Sequence, residues 1–136
     1  MVNFNRILTA TPKDFAVPIP PALKPVDRPH VTLLYKELSQ AGRDKLKHAD
    51  LSCLPPFPPL TWGPAYLADD GKKRSLVRDA QEQDEIQLWV ALAAHQLGLG
   101  AEDVLLDTNR VYHVSVANKT GSVFDSVPDP WNWRVS

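Results

Sequence analysis

Residues 28–33 (RPHVTL) and residues 111–116 (VYHVSV) share one pattern, His-Val-hydroxyl-apolar, and these two stretches decide the fold. Both are rich in β-branched and apolar side chains, a composition that favours a buried strand. One copy lies in each half of the chain. The repeat therefore predicts two related lobes, each containing a strand that carries one histidine and one hydroxyl.

The spacing within each copy predicts which side chains act together. Residues i and i+2 of a strand point to the same face, so His30 projects with Thr32, and His113 projects with Ser115. If the two lobes pack as equivalents, both imidazoles and both hydroxyls converge on one cleft. The alternative is that the two histidines are satisfied within or beside a sheet and have no chemical role.

Two histidines and two hydroxyls in one cleft suit the cleavage of a phosphodiester. A neutral imidazole can take a proton from the attacking hydroxyl, while a protonated imidazole gives one to the leaving oxygen. Serine and threonine hydroxyls can donate hydrogen bonds to the non-bridging phosphate oxygens without adding negative charge. This chemistry requires neither a metal nor a cofactor, and we expect none.

The rest of the chain alternates strand and helix signals, as in an α+β domain. Asp70-Gly71 between two apolar runs predicts a hairpin. An apolar stripe from Ile86 to Leu97, with acidic residues before it and Gly98 after it, predicts an amphipathic helix with Trp89 in the core. The remaining predictions are a short helix over 39–48 and strands over 6–10, 15–19, 60–67, 74–77 and 104–106.

Composition places the chain among globular proteins of a single domain. Its 136 residues are 43% hydrophobic and 23% charged, with a net charge of −1. A balanced charge argues against a protein that coats long nucleic acid, for which a basic surface is expected. The single Cys53 excludes an internal disulfide, and residues 1–15 lack the features of a signal peptide. We therefore expect one domain over 1–136, in the cytoplasm.

Proline is the one unusual component, with 13 residues, about twice the usual share of ~5%. The prolines cluster within 18–29, 55–59 and 128–130. Because proline fixes φ and lacks an N–H, these segments cannot pair fully in a sheet. We expect ordered extended connections, with flexible linkers as the alternative.

The two His-Val-hydroxyl stretches resemble the signature motifs of the two-histidine (2H) phosphoesterase superfamily. The resemblance covers most of the chain, because the intervening hairpin, helix and strand follow in the order that the family uses. It implies a bilobal α+β fold, with two small antiparallel sheets facing a central cleft and the helices outside. It also implies that His30 and His113 are the acid–base pair, and that Thr32 and Ser115 bind phosphate.

The short length and residues 117–126 (ANKTGSVFDS) look most like small phage-encoded members, the anti-CBASS nucleases. That likeness implies hydrolysis of 3′–5′ linkages in cyclic di- or trinucleotide immune signals, inside the cytoplasm of the host if the protein is phage-encoded. Two alternatives stay open: a 2′,3′-cyclic or 2′–5′ phosphodiesterase of RNA repair, and a sponge that binds cyclic nucleotides without cleaving them.

A nucleotide ligand needs aromatic surfaces and cations. Trp62, Trp131 and Trp133 are candidates for stacking, with Trp131 and Trp133 in a tail that could fold over the cleft as a lid; alternatively, these rings cap the core. Lys36 and Lys119 follow the two motif strands and are candidates for phosphate contact. The other two histidines, His48 and His95, have no hydroxyl at i+2, and we expect them to be surface residues.

Overall fold

A computed structural model describes residues 2–4, 7–106 and 109–135. It is a mixed α+β structure with one sheet whose paired strands are all antiparallel within the described residues. The elements in chain order are β1 (Val2–Phe4), β2 (Leu8–Ala10), β3 (Lys24–Pro25), β4 (Val31–Leu34), α1 (Gln40–Lys47), β5 (Tyr66–Asp69), β6 (Arg74–Asp79), α2 (Gln83–Gln96) and β7 (His113–Asn118). Short 3₁₀ turns occupy Leu51–Cys53, Val123–Asp125 and Pro130–Asn132.

The sheet runs in the order β1-β2-β4-β7-β6-β5, and β3 pairs with the same edge of β7 as β4 does. Only one residue pair, Val31 with Val114, joins β4 to β7 among the described residues. The sequence led us to expect two separate sheets, and the structure instead has one continuous sheet with a narrow junction. The Val26 N–H still donates to the Val116 carbonyl of β7 at 3.0 Å, and the chain pairs with β7 again at Val31, so the segment between these two contacts interrupts the ladder.

One face of the sheet carries the main core. Alternation along β4 directs Val31 and Leu33 to this face, where α1 and α2 pack on them. Trp89 of α2 is buried as predicted, with its indole N–H donating to the Pro55 carbonyl at 3.0 Å. Both helices therefore lie on the face opposite His30 and Thr32.

Several local predictions are confirmed. Ser39 caps α1 by accepting a hydrogen bond from the Gly42 N–H. The hairpin between β5 and β6 turns at Asp70-Gly71, where the Asp70 carboxylate accepts from the backbone N–H groups of the next turn residues and Gly71 has φ of +90°. Gly98 follows α2 with φ of +74°, the left-handed conformation that ends many helices.

Three strand predictions were wrong or too long. Residues 15–19 are irregular, although Phe15, Val17 and Ile19 alternate into a second core beneath β6 and β7. The alternation of these three side chains reflects burial of one face of an extended segment. The segment does not form a strand, because the prolines between and after them have no N–H to donate to a neighbouring strand. Of 60–67 only the last two residues belong to β5, and 104–106 is reduced to a single bridge between Val104 and Leu38. Arg6, within the predicted strand 6–10, lies outside the described residues.

Candidate active site

A cavity of about 690 Å³ opens on the sheet face opposite the helices. All four motif side chains line it, although they come from opposite halves of the chain: His30, Thr32, His113 and Ser115. The other lining residues come from the end of β4, from Arg110 before β7, from the loop and tail after β7, and from Ile7 before β2 and Val26 after β3. The convergence predicted from the repeat is therefore present in the structure.

The pairing of β4 with β7 explains why these four side chains meet. Val31 lies opposite Val114 in an antiparallel register. One step to either side, this register places His30 across from Ser115 and Thr32 across from His113. Directly opposite residues share a face, with Cβ atoms roughly 4.5–5.5 Å apart in a regular ladder. The pairing therefore brings both motifs to one face of the sheet, where all four side chains line the same cavity.

Both histidine rings are held in the same way. Nδ1 of His30 lies 3.4 Å from the Arg28 carbonyl oxygen, and Nδ1 of His113 lies 3.0 Å from the Val111 carbonyl oxygen, in each case two residues earlier. A carbonyl only accepts, so these contacts favour the tautomer with the proton on Nδ1. Nε2 of each neutral ring then carries the lone pair and is the atom available to exchange a proton.

Backbone strain accompanies the first of these contacts. Arg28 has φ of +51°, a left-handed conformation that is costly for a residue with a side chain. Its side chain is almost fully exposed, and among the described residues its ion pair is a long contact with Asp27 at 3.8 Å. The left-handed backbone at Arg28 accompanies a carbonyl that points toward the His30 ring, at 3.4 Å from Nδ1.

The second histidine favours the neutral form. Burial of the ring lowers the pKa of His113 below its ordinary value of 6.5, and the positive charge of Arg110 acts in the same direction. The Val111 carbonyl and the carboxylates of Asp79 and Asp129 oppose this shift without cancelling it. His113 is therefore suited to accept a proton near neutral pH.

The two motif hydroxyls are available to a ligand. Thr32 and Ser115 are half-buried in the lining of the cavity. Within the described part of the chain, neither hydroxyl has a hydrogen-bond partner. Two unpaired donors beside two histidines can satisfy the oxygens of a bound anion.

The cations of the cavity are already paired. Lys36 Nζ lies 2.7 Å from an Asp129 carboxylate oxygen, which links the end of β4 to the C-terminal tail across the lining. Arg110 Nε lies 2.6 Å from Glu37, and both of these side chains are almost fully buried, at 6% and 5% exposure. Each of these two cations therefore already has a carboxylate partner.

The tail forms a wall of the site and is attached to the sheet. The Asp69 N–H of β5 donates to the Trp133 carbonyl at 3.0 Å, and the Val135 N–H donates to the Leu67 carbonyl of β5 at 2.8 Å. Val127 packs on Tyr66, Ala68 and Val77 from the same face as the cavity. The sequence suggested a tail that could fold over the cleft as a lid, whereas in the structure the tail is hydrogen-bonded to the edge of β5. Local sequence does not indicate this pairing, because it joins segments far apart along the chain.

The predicted substrate-binding residues have different positions. Lys36 lines the cavity. Among the described residues that line it, Trp62, Lys119, Trp131 and Trp133 do not appear. Trp131 instead packs edge-on against His113, with ring centroids 5.7 Å apart, and Trp133 and Lys119 are exposed elsewhere on the surface.

Trp62 is a structural residue in this fold. Its indole N–H donates to the Lys13 carbonyl at 2.8 Å, and its ring packs against Phe15 with centroids 6.4 Å apart. It thus packs against both cores and lies outside the described lining of the cavity, the position expected from the alternative that it caps the core.

Sequence reasoning missed two aromatic residues of the cavity. Tyr35 and Phe124 both line it, and their exposed fractions are 48% and 83%. The loop that carries Phe124 is organised by the buried Asn118, whose side chain accepts from the Gly121 N–H at 2.6 Å and donates to the Ser122 carbonyl at 2.7 Å. The signal in the sequence was weak: one aromatic residue after a motif strand and one in a polar loop.

Gly121 is required for this loop. Its φ is +84°, and a Cβ at this position would lie 2.9 Å from the Pro25 carbonyl oxygen. The loop thus lies against the end of β3, and just after that strand the Asp27 N–H donates to the Gly121 carbonyl at 2.8 Å.

Comparison of the chain with family models, with curated proteins and with solved structures found no match. Among the described residues, no group of three or more His, Cys, Asp or Glu side chains is placed to hold a metal ion. No helix in the described ranges has the length and apolar character needed to cross a bilayer.

Proposed function

We propose that the protein is a metal-independent phosphodiesterase of the 2H type that cleaves 3′–5′ linkages in small cyclic oligonucleotides, the immune signals that phage counter-defence removes. The observation that carries the proposal is the shared face of His30, Thr32, His113 and Ser115 in one cavity. The narrow junction between β4 and β7 supports a bilobal 2H-like arrangement, with one lobe contributing each motif.

The first step uses the two histidines in opposite protonation states. His113 Nε2 takes the proton from a ribose 2′-hydroxyl, whose oxygen forms a bond to the adjacent phosphorus. The bond from phosphorus to the 5′-oxygen breaks, and His30 gives that oxygen its proton. The products are a 2′,3′-cyclic phosphate and a free 5′-hydroxyl. The lowered pKa of His113 supports its role as the base.

The hydroxyls stabilise the negative charge on the non-bridging phosphate oxygens in the transition state. Thr32 and Ser115 are unpaired within the described residues, so they can donate to the two non-bridging oxygens without losing an existing bond. Water can open the cyclic phosphate in a second step, with each histidine reversing its role.

The cavity favours a small nucleotide over a long nucleic acid. Its volume of about 690 Å³ is typical of small-molecule sites. Both cations of the lining are engaged by carboxylates, so long-range attraction of a polyanion is weak. Selectivity should then depend on the fit of a compact ligand.

A product assay tests this function. The purified chain is incubated with cyclic di- and trinucleotides, linear RNA and 2′,3′-cyclic mononucleotides, with and without EDTA, and the products are analysed by mass. We expect cleavage of a cyclic oligonucleotide that EDTA does not reduce. Preferred turnover of 2′,3′-cyclic mononucleotides or of 2′–5′ linkages would indicate a function in RNA repair. Binding without a change in ligand mass would indicate a sponge. Activity that depended on Mg²⁺ or Mn²⁺ would contradict the mechanism.

The pH–rate profile should be bell-shaped, because one histidine must be neutral and the other protonated. The limbs belong to the pair as a whole. Replacing Trp131 by Leu uncovers His113, weakens the burial that lowers its pKa, and should move the acid limb to higher pH. Trp133→Leu is the matched control and should leave the limb in place, since that ring is exposed outside the lining. Equal shifts in the two variants would argue against His113 as the base.

Asp129→Asn should increase affinity for the substrate. The change removes a carboxylate from the cavity and releases Lys36 to meet phosphate. Asparagine tolerates the left-handed backbone at this position, where φ is +48°, so the tail should keep its course. We expect the KM for a cyclic dinucleotide to fall severalfold, whereas Asp44→Asn on the surface of α1 should leave it unchanged. An unchanged or higher KM in Asp129→Asn would show that Lys36 does not contact the phosphate.

A further inference from the structure

We propose that Tyr35 and Phe124 form an aromatic clamp that holds the two bases of a cyclic dinucleotide, one base on each ring. This inference rests on the proposed function and specifies its substrate class. The carrying observation is that two exposed aromatic rings, from separate parts of the chain, line the same cavity as the two histidines.

Phe124 is exposed on a well-braced loop. Phe124 is 83% exposed, while both its backbone N–H and its carbonyl make hydrogen bonds. The Phe124 N–H donates to the Ser122 hydroxyl at 3.3 Å, and the Phe124 carbonyl accepts from Lys73 Nζ at 2.7 Å. These contacts fix the loop while most of the Phe124 ring stays in water beside the cavity, where a base can stack on it.

Tyr35 is fixed from the other side of the cavity. It follows β4 directly, and its N–H donates to a Glu37 carboxylate oxygen at 3.1 Å. The Arg43 guanidinium lies 5.4 Å from the centre of its ring and also donates to the Tyr35 carbonyl at 3.1 Å. The ring is thereby held near the cavity while half of its surface remains in water.

The surroundings of the rings identify the ligand. An occupant must present a flat apolar group to each ring and an anionic group to the unpaired hydroxyls of Thr32 and Ser115. A nucleotide has both parts, because every base offers a π face and its phosphate accepts hydrogen bonds. Two rings on two segments fit a ligand with two bases joined through a compact phosphate ring.

The test compares ligands that carry two bases, one base or none: a cyclic dinucleotide, a 2′,3′-cyclic mononucleotide and ribose 2′,3′-cyclic phosphate. Phe124→Leu and Tyr35→Leu keep apolar volume and remove the π face. Each should lower kcat/KM for the cyclic dinucleotide by about 5- to 150-fold, the range expected for loss of one base stack. The loss should be smaller for the mononucleotide and absent for the base-free ester.

Two further variants accompany these measurements. Tyr35→Phe keeps the π face, so its loss of kcat/KM should be smaller than that of Tyr35→Leu. Leu88→Ala is the matched control, because it removes an exposed apolar side chain from α2, away from the cavity, and it should leave kcat/KM unchanged for all three ligands. Equal losses on all three ligands, or no loss on any of them, would overturn the clamp while leaving the phosphodiesterase proposal intact.

The clamp and the proposed function can fail separately. If the protein cleaves none of these ligands, the proposed function fails, and calorimetric titration with a cyclic dinucleotide still tests the clamp. Binding by the wild type that weakens in Phe124→Leu and Tyr35→Leu supports it. Absence of binding, or binding that is insensitive to both substitutions, overturns it.

Discussion

His30→Ala and His113→Ala should each lower kcat by about 10² or more, the usual effect of removing a positioned acid or base. Both rings line the cavity, and each is oriented by a carbonyl two residues earlier. Alanine removes the proton-exchanging nitrogen with little change in the strand. Steady-state kinetics on a cyclic dinucleotide, with thermal unfolding of each variant as a check on folding, measures the effect.

The remaining histidines supply matched controls. His48 and His95 are exposed, and neither belongs to the lining of the cavity in the described structure. Their alanine variants should have near wild-type kcat. If the two motif histidines act as a unit, the double variant should lose much less than the product of the single losses. Loss of activity in His48→Ala or His95→Ala, with a motif variant still active, would reverse the assignment.

The acid and base roles can be separated with a substrate whose leaving group needs no proton. A ribonucleoside 3′-(p-nitrophenyl) phosphate releases a stable phenolate. On this ester His30→Ala should lose under about 10-fold, while His113→Ala should keep its loss of about 10², because the attacking hydroxyl must still be deprotonated. The opposite result would exchange the two roles and place the base on His30.

The features that were predictable from sequence are those set by short-range periodicity. The alternation around His30 and His113 determined which side chains share a face, and the i, i+3, i+4 stripe located α2. The Asp70-Gly71 turn was predictable because its residues satisfy their own backbone. In each case the deciding interactions lie within a few positions along the chain.

The features that were not predictable depend on contacts between distant segments. From the sequence, Trp62 was a candidate stacking surface. In the structure its ring packs against Phe15 and its indole N–H donates to the Lys13 carbonyl, and both partners are distant along the chain. The pairing of the tail with the β5 edge was not predicted, because it joins segments that are far apart in the sequence. The exposure of Phe124 likewise depends on the buried Asn118, which holds a loop that the sequence shows only as a polar segment.

The same dependence on distant contacts explains the continuous sheet. The repeat correctly predicted two motif strands, but it contained no information on whether their backbones touch. In the structure Val31 and Val114 make that contact, and it brings the two motifs to the same face of the sheet, beside one cavity. One residue pair therefore supports the geometry on which the proposed chemistry depends.

Arg110→Met should destabilise the fold by about 3–5 kcal/mol, because it leaves the Glu37 carboxylate buried without its partner. The pair joins the end of β4 to the segment that enters β7, and Arg110 Nη1 also lies 3.5 Å from the Thr32 carbonyl. Loss of the guanidinium should therefore lower kcat as well, through the position of Thr32. Urea unfolding gives the free energy, and kinetics at a temperature where the variant is folded gives the activity.

The matched control is the half-exposed pair on the other side of the cavity. Lys36→Met breaks an ion pair whose lysine side chain is 56% exposed, and solvent screening should limit its cost to under about 1 kcal/mol. The double variant Arg110→Met/Glu37→Met leaves no isolated charge, so it should recover part of the stability that Arg110→Met loses. Two results would mean that the Arg110–Glu37 pair does not hold the two motif strands together. One is an Arg110→Met variant that is no less stable than Lys36→Met. The other is a double variant whose loss of stability equals the sum of the losses in Arg110→Met and Glu37→Met.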